Sequence, residues 1–268
     1  SNKGFAEPNN IAAKIAKGDY LLFLNNDTIV TPNFISEMIK VSENDKTVGI
    51  CQSLLLKPDG NVDSSGDFID TLGVVYNSKS KTNEIRDISS ARGASMLIRN
   101  SIFKQLNGFD KNFFVSFEDV DLGWRTWILG YNIKFVPSSI VYHHGGTTIK
   151  KFKSEIAFHG FKNQISMKIT NFEPSLVFFK LTKFFLVYGF REIKIWLDYV
   201  FKGSTNLTST NYTSLVAPKP SLKVILKSIL WIILNLKYLW NKSKFINTSR
   251  VYSTKYLEQK GIISSIKK

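Results

Sequence analysis

The chain has 268 residues, 43% of them hydrophobic, and a formal net charge of +15. That is enough for one sizeable core with an appendage. Its single cysteine, Cys51, excludes a disulfide framework and a thiolate metal cluster.

The charge is unevenly placed. Residues 1–149 hold 15 Lys+Arg against 16 Asp+Glu, whereas residues 150–268 hold 21 against 5. A near-neutral segment followed by a basic one implies a polyanionic partner. The chain opens at Ser1-Asn2-Lys3-Gly4 with no initiator methionine and no apolar stretch of a signal peptide behind it. It begins in mid-pattern, as a fragment does.

Ile11 to Lys17 has helical periodicity and stops at Gly18. Tyr20 to Leu24 is a short apolar run that ends abruptly at Asn25-Asn26-Asp27, the pattern of a buried strand with polar residues at its carboxyl end. Thr31-Pro32 opens a helix over Asn33 to Asn44. Val48 to Leu56 is a second apolar strand, and Asp59-Gly60 is a turn. Ser64 to Ser90 is polar and reads as a mobile surface excursion with one strand, Gly73 to Tyr76. Ala94 to Ile98 is a strand, and Ser101 to Leu106 a short helix closed by Asn107-Gly108. A helix over Asp119 to Leu129 ends at Gly130, and Ile133 to Pro137 and Ile140 to His143 are short strands. Strands alternating with helices imply an α/β fold with a mainly parallel sheet flanked by helices. Two long apolar stretches follow, Leu176 to Phe201 and Leu222 to Trp240, joined by a polar linker from Gly203 to Tyr212.

Three constellations carry chemistry. In the first, Asn25-Asn26-Asp27 sits beyond a strand's carboxyl end, where open α/β sheets bind ligands. A carboxylate there holds a divalent cation bridging two phosphates, or it simply caps a turn. In the second, Phe113 to Phe117 lead into Glu118, Asp119 and Asp121 at a helix start. Acids favour a helix N-terminus for dipole reasons, but a carboxyl in an apolar surround also suits a general base. In the third, His143-His144-Gly145-Gly146 pairs a strand-end histidine with backbone room for a bulky ligand.

Taken with Asn2-Lys3-Gly4-Phe5-Ala6, Arg92-Gly93-Ala94-Ser95-Met96 and Asn107-Gly108-Phe109-Asp110, these stretches stand in a consistent order over residues 2 to about 150. In that order they resemble the family 2 glycosyltransferases, in particular the rhamnosyltransferase-like branch with the GT-A fold. The resemblance implies a partial catalytic domain over residues 1–150, with the family's first βαβ unit missing, and a basic helical region over 151–268. It implies that Asp27 contacts a Mn²⁺ or Mg²⁺ ion and the diphosphate of a nucleotide-sugar donor, with Asn25 in place of the motif's first acid. His143 is implied as the second metal ligand, ahead of His144. Asp119 is implied as the catalytic base with Glu118 beside it, and Asp121 and Arg125 as their support. Asn2, Gly4 and Asn10 are implied to line the nucleotide side, and Gly93 and Ala94 to admit donor sugar and acceptor.

In the basic region, Leu176 to Phe201 is too charged for a bilayer span. Leu222 to Trp240 combines leucines, lysines and aromatics as a helix lying in a membrane interface does, or it packs as an ordinary amphipathic pair on the catalytic part. No nucleic-acid motif accompanies the positive charge. The leading reading is an inverting, metal-dependent glycosyltransferase with a lipid-linked or cell-surface glycan acceptor, working at the cytoplasmic face of the cell membrane on its anionic surface. The alternatives are a non-catalytic membrane scaffold and a processive polysaccharide synthase. Against the synthase, none of Gln52, Gln105, Gln164 or Gln259 begins the Gln-x-x-Arg-Trp motif of such enzymes.

Overall fold

The structure is a computed structural model that describes residues 2–145, 153–187, 212–214 and 221–264. Its centre is a seven-stranded sheet. The spine runs in the order β1 (Tyr20–Leu24), β8 (Ser95–Arg99), β3 (Val48–Leu56), β9 (Asn132–His143), β2 (Thr28–Val30). Two short strands extend it: β4 (Val62–Ser64) on β3, and β7 (Arg86–Asp87) on β9.

The sheet is mixed, not mainly parallel. Among the described strands of this sheet only β3 and β9 run parallel; β1–β8, β8–β3, β9–β2, β3–β4 and β7–β9 are antiparallel. A continuous apolar run reports burial on both faces of a strand, and that says nothing of its direction. In β3, Ile50 and Leu54 enter one core layer while Cys51 and Leu55 enter the other. The helix α2 (Phe34–Asn44) covers the second layer with Phe34 and Met38. On the first layer lie α1 (Ala6–Ile15), α3 (Asn100–Gln105) and α4 (Glu118–Ile128), whose Trp124 and Trp127 are fully buried.

Three expectations are corrected in detail. The first helix begins at Ala6, before its apolar periodicity becomes visible. The two strands expected over 133–143 are one strand, whose pairing to β3 shifts register between Val136 and Ile140. The polar stretch 64–90 is not a loose excursion. Beside β4 and β7 it supplies β5 (Asp67–Ile69) and β6 (Val75–Ser78) to a three-stranded sheet with β10 (Tyr212–Ser214). Ser64, Ser65, Ser78, Ser89 and Ser90 are all buried there, and Ser65 and Ser78 join hydroxyls at 2.9 Å.

The basic region packs on this core through α5 (Lys153–Asn171), α6 (residues 174–187), α7 (Leu222–Leu234), α8 (Leu236–Thr248) and α9 (Thr254–Gln259). Met167, Phe172, Ile246, Leu257 and Ile262 belong to the same apolar cluster as Trp124 and Phe135. Several lysines of this region turn inward. Lys168 donates to the Gly73 carbonyl at 2.7 Å and Lys180 to that of Thr71 at 2.8 Å; Lys162 donates to that of Asn112. Burial pulls the Lys168 amine down to about 7. The Leu222–Trp240 stretch is two helices that part at Asn235. Most of the Gly203–Tyr212 linker and the end of the Leu176–Phe201 stretch lie outside the described residues.

Candidate active site

Strand β1 ends at Leu24, and the chain turns through Asn25 and Asp27 before β2 pairs with the end of β9. That pairing sets Thr28 opposite His143 and brings the Asp27 carbonyl to the His144 amide at 2.9 Å. His143 therefore stands directly over the turn. Its Nε2 lies 3.5 Å from Asp27 Oδ1 and 3.5 Å from Asn25 Nδ2. Asp27 Oδ1 is buried and has no hydrogen-bond partner among the described residues. His144, by contrast, is exposed.

The other face of the imidazole is held by a residue that sequence reading missed. His143 Nδ1 is 2.9 Å from Asp63 Oδ2 on β4. The Asp63 hydrogen bond raises the proton affinity of His143 above the ordinary value, against the effect of burial. Burial pushes Asp63 up, but the hydrogen bond from His143 and the charge of Arg92 together hold it below its ordinary value. Replacing Asp63 with Asn is therefore expected to move the His143 titration to lower pH, followed by NMR of the ring protons in the presence of a chelator. An unchanged titration would show that Asp63 does not set it.

A second cluster surrounds Asp119 at the start of α4. Its Oδ2 accepts from the Gly93 amide at 3.0 Å, and its Oδ1 from the Val120 amide at 2.8 Å. Glu118 is buried beside it, and its Oε2 has no partner among the described residues. Burial, and then the charge of Asp119, raise the proton affinity of Glu118 well above the ordinary value. Arg92 closes the cluster from below: its Nε lies 3.2 Å from Asp67, and its backbone amide donates to Gln52 Oε1 at 2.8 Å. Burial drives the Asp67 carboxyl up to about 6 against the pull of Arg92. Burial disfavours the Arg92 charge, but Asp67, Asp63 and Asp119 outweigh it and raise its proton affinity.

Gly93 and Ala94 connect the two clusters. The Ala94 carbonyl accepts from the Asn25 amide at 3.2 Å, one residue after Gly93 meets Asp119. A Cβ at Gly93 would fall 2.8 Å from the Phe5 ring, so glycine is what lets α1 approach. Gly4 and Asn2 belong to the same neighbourhood. Asn2 Oδ1 accepts from the Gly4 amide at 3.0 Å, and Phe5 donates its amide to the Phe114 carbonyl at 2.8 Å. Asn10 is placed apart from them. Its amide both donates to the Phe109 carbonyl at 2.8 Å and accepts the Phe109 amide at 2.9 Å. That clamp fastens α1 to the Asn107–Phe109 turn and leaves the Asn10 side chain engaged with backbone.

The loop that aims Glu118 and Asp119 is held in a costly conformation. Ser116 and Phe117 both have positive φ, 70° and 69°. Such non-glycine residues cost about 1–3 kcal/mol each and persist only where their surroundings hold them. The fixing group comes from the basic region, where Asn163 of α5 donates to the carbonyls of Val115 at 3.0 Å and Ser116 at 2.7 Å. One turn further along α4, Asp121 and Arg125 form a buried ion pair at 2.8 Å. Neither is part of the Gly93–Asp119 contact; both brace the helix that carries it.

The donor set fits a hard divalent cation. An unpartnered carboxylate oxygen and an imidazole nitrogen converge, and the histidine is oriented from behind by a carboxylate, as ligating histidines are. Among the described residues there is no group of three or more His, Cys, Asp or Glu side chains placed to hold a metal by themselves. Asp27 and His143 would supply part of a coordination sphere, and phosphate oxygens and water the remainder, as Mg²⁺ and Mn²⁺ accept.

Comparison with known proteins converges on one family. The family model described as glycosyl transferase family group 2 matches residues 20–240. The O-antigen biosynthesis protein RfbC of Myxococcus xanthus is 31% identical over 149 residues, which is 51% of this chain and 12% of that protein. The rhamnosyltransferase WbbL of Escherichia coli K12 is 30% identical over 172 residues, 57% of this chain and 65% of its own. The N-acetylglucosaminyl-diphospho-decaprenol L-rhamnosyltransferase of Mycobacterium tuberculosis is 28% identical over 144 residues, 47% of each chain. The chain thus spans about half or less of the length of two of these three relatives.

Proposed function

Because the chain belongs to the family 2 glycosyltransferases, we propose that it moves a sugar from a nucleoside-diphosphate donor to a hydroxyl of a lipid-linked or cell-surface glycan, inverting the anomeric centre. The observation that carries this reading is the link through Gly93-Ala94. It joins a cation-binding pair, Asp27 and His143, to a held carboxylate, Asp119.

Each residue has a task that follows from its surroundings. Asp119 accepts the proton of the acceptor hydroxyl as that oxygen attacks the anomeric carbon. Its hydrogen bond from Gly93 fixes the carboxylate in place. Attack from the face opposite the departing diphosphate inverts the configuration in one displacement, with no covalent enzyme intermediate. Asp27 and His143 would hold a Mn²⁺ or Mg²⁺ ion, which when bound neutralises the charge that builds on the leaving diphosphate. Asp63 orients His143 for that ligation, and the positive charge of Arg92 offsets the mutual repulsion of Asp63, Asp67 and Asp119. Asn25, Asn2 and Gly4 are assigned to the donor side of the site; Gly93, whose open side is filled by Phe5, serves by holding Asp119, and buried Ala94 by holding the Asn25 amide, rather than by leaving room for the sugar.

The place of work proposed is the cytoplasmic surface of the cell membrane, where a lipid-linked acceptor presents its head group. No helix among the described residues is long and apolar enough to cross a membrane. A screen of nucleotide sugars for turnover with Mn²⁺ or Mg²⁺ tests the proposal. At least one donor should be consumed only when the cation is present; no cation-dependent turnover with any donor would overturn the reading.

A further inference from the structure

We propose that the outer face of α7 is a docking surface for an anionic lipid bilayer. Leu222, Leu226, Leu230 and Leu234 recur every fourth residue, with Ile229 and Ile233 beside them, so they form one continuous stripe. The stripe faces solvent: Leu222 is 72% exposed, Leu230 56%, Ile233 57% and Leu234 74%. The opposite face is satisfied by the protein. Val224 and Ser228 are buried, Trp231 lies against the Lys162 amine at 4.3 Å, and Lys227 lies over the Phe158 ring at 4.4 Å. The helix is therefore anchored on α5 by one side and, among the described residues, unpartnered on the other. Unpartnered apolar stripes of this size on a soluble chain mark a contact with something else.

The charge around the stripe decides what that contact is. From Ser221 to Ser249 there are five lysines and no acidic residue. One of them, Lys242, turns inward to Asp110 at 2.7 Å and Asp121 at 3.0 Å. The other four, Lys223, Lys227, Lys237 and Lys244, are exposed. Aliphatic side chains flanked by cations without any anion match the boundary between acyl chains and anionic head groups. A second copy of this chain matches poorly, because a two-fold contact through α7 would set the same lysines against each other. Phe178 and Phe179 of α6 add exposed aromatic surface to the same basic region, at 83% and 61% exposure. A catalytic site carried on the same core as α7 would then work close to the head-group plane.

Cosedimentation of the whole chain with phospholipid vesicles tests this without recourse to turnover. The chain should pellet with phosphatidylcholine vesicles containing about one-third phosphatidylglycerol and far less with phosphatidylcholine alone. The triple variant Leu226→Glu, Leu230→Glu, Ile233→Glu should lower the partition coefficient at least about tenfold, with an unchanged thermal midpoint because all three side chains are exposed. A second variant, Lys223→Glu with Lys237→Glu, alters no buried group and should abolish the preference for the anionic vesicles. Three results would overturn the proposal: no pelleting of the wild-type chain, wild-type pelleting of both variants, or a wild-type dimer that the triple variant converts to monomer.

Discussion

Replacing Asp119 with Asn is expected to lower turnover about a thousandfold while leaving nucleotide binding within about twofold. The substitution is nearly isosteric. The amide oxygen can still accept from the Gly93 N–H that Asp119 meets at 3.0 Å, so the loop keeps its geometry. What is removed is the only function an amide cannot imitate, acceptance of a proton. The groups that would hold the cation on the diphosphate, Asp27 in the turn after β1 and His143 at the end of β9, keep their contact with each other. Glu118 should not substitute. It is buried and its proton affinity is raised first by burial, a cause that remains after the Asp119 charge is gone. Glu118→Gln should accordingly cost less than about tenfold, since Gln keeps the size and polarity of a side chain that only stands beside the base. Steady-state and binding measurements on both variants check the pattern. Turnover near wild type in Asp119→Asn would remove this residue from the role of base.

The second large effect is on stability. Arg125→Met is expected to destabilise the fold by about 3–5 kcal/mol, because it removes one partner of a buried ion pair. Arg125 donates to Asp121 at 2.8 Å, to the Leu106 carbonyl at 2.8 Å and to the Gly108 carbonyl at 3.0 Å. A methionine fills similar volume but satisfies none of these acceptors. At about 2–4 °C per kcal/mol for a chain of this size, the thermal midpoint should fall by about 6 °C or more. Arg125→Lys should fall between the two, since one ammonium can meet Asp121 but not both carbonyls as well. The loss reaches beyond α4. Asp121 also meets Lys242 at 3.0 Å and Asn171 at 3.2 Å, so one buried carboxylate ties α4 to α5 and α8. A midpoint within 2 °C of wild type, measured by calorimetry, would mean the interior relaxes around the missing charge, at about 2–4 °C per kcal/mol.

These two predictions draw on different parts of the sequence, and the difference shows what was legible in it. Asp27, Asp119 and His143 stand at the ends of local apolar runs, where a strand or helix boundary is written in a few neighbouring residues. Asp63, Asp67 and Asn163 have no such signal. Asp63 meets His143 from a position 80 residues away, and Asn163 reaches Ser116 from 47 away. The stretch that carries Asp63 and Asp67 was also disguised by its composition. Its serines are buried through mutual hydrogen bonds, as Ser65 is with Ser78, and hydroxyls paired in this way leave no hydrophobic period. The basic region misled for a related reason. A lysine on a solvated face and a lysine that caps a buried carbonyl look alike in sequence; only the structure shows Lys168 on Gly73 and Lys180 on Thr71. The leucine stripe of α7 was visible as apolar composition, but which side of the helix faces solvent depends on where α5 packs.

The anomeric proton of the transferred sugar tests the central claim most directly. In a reaction with any donor that the chain consumes, proton NMR of the first product formed reads its configuration. A single displacement assisted by Asp119 predicts an anomeric centre opposite to that of the donor. A product that keeps the donor's configuration would contradict the account, since retention requires a covalent intermediate or a same-face attack for which Asp119 has no part.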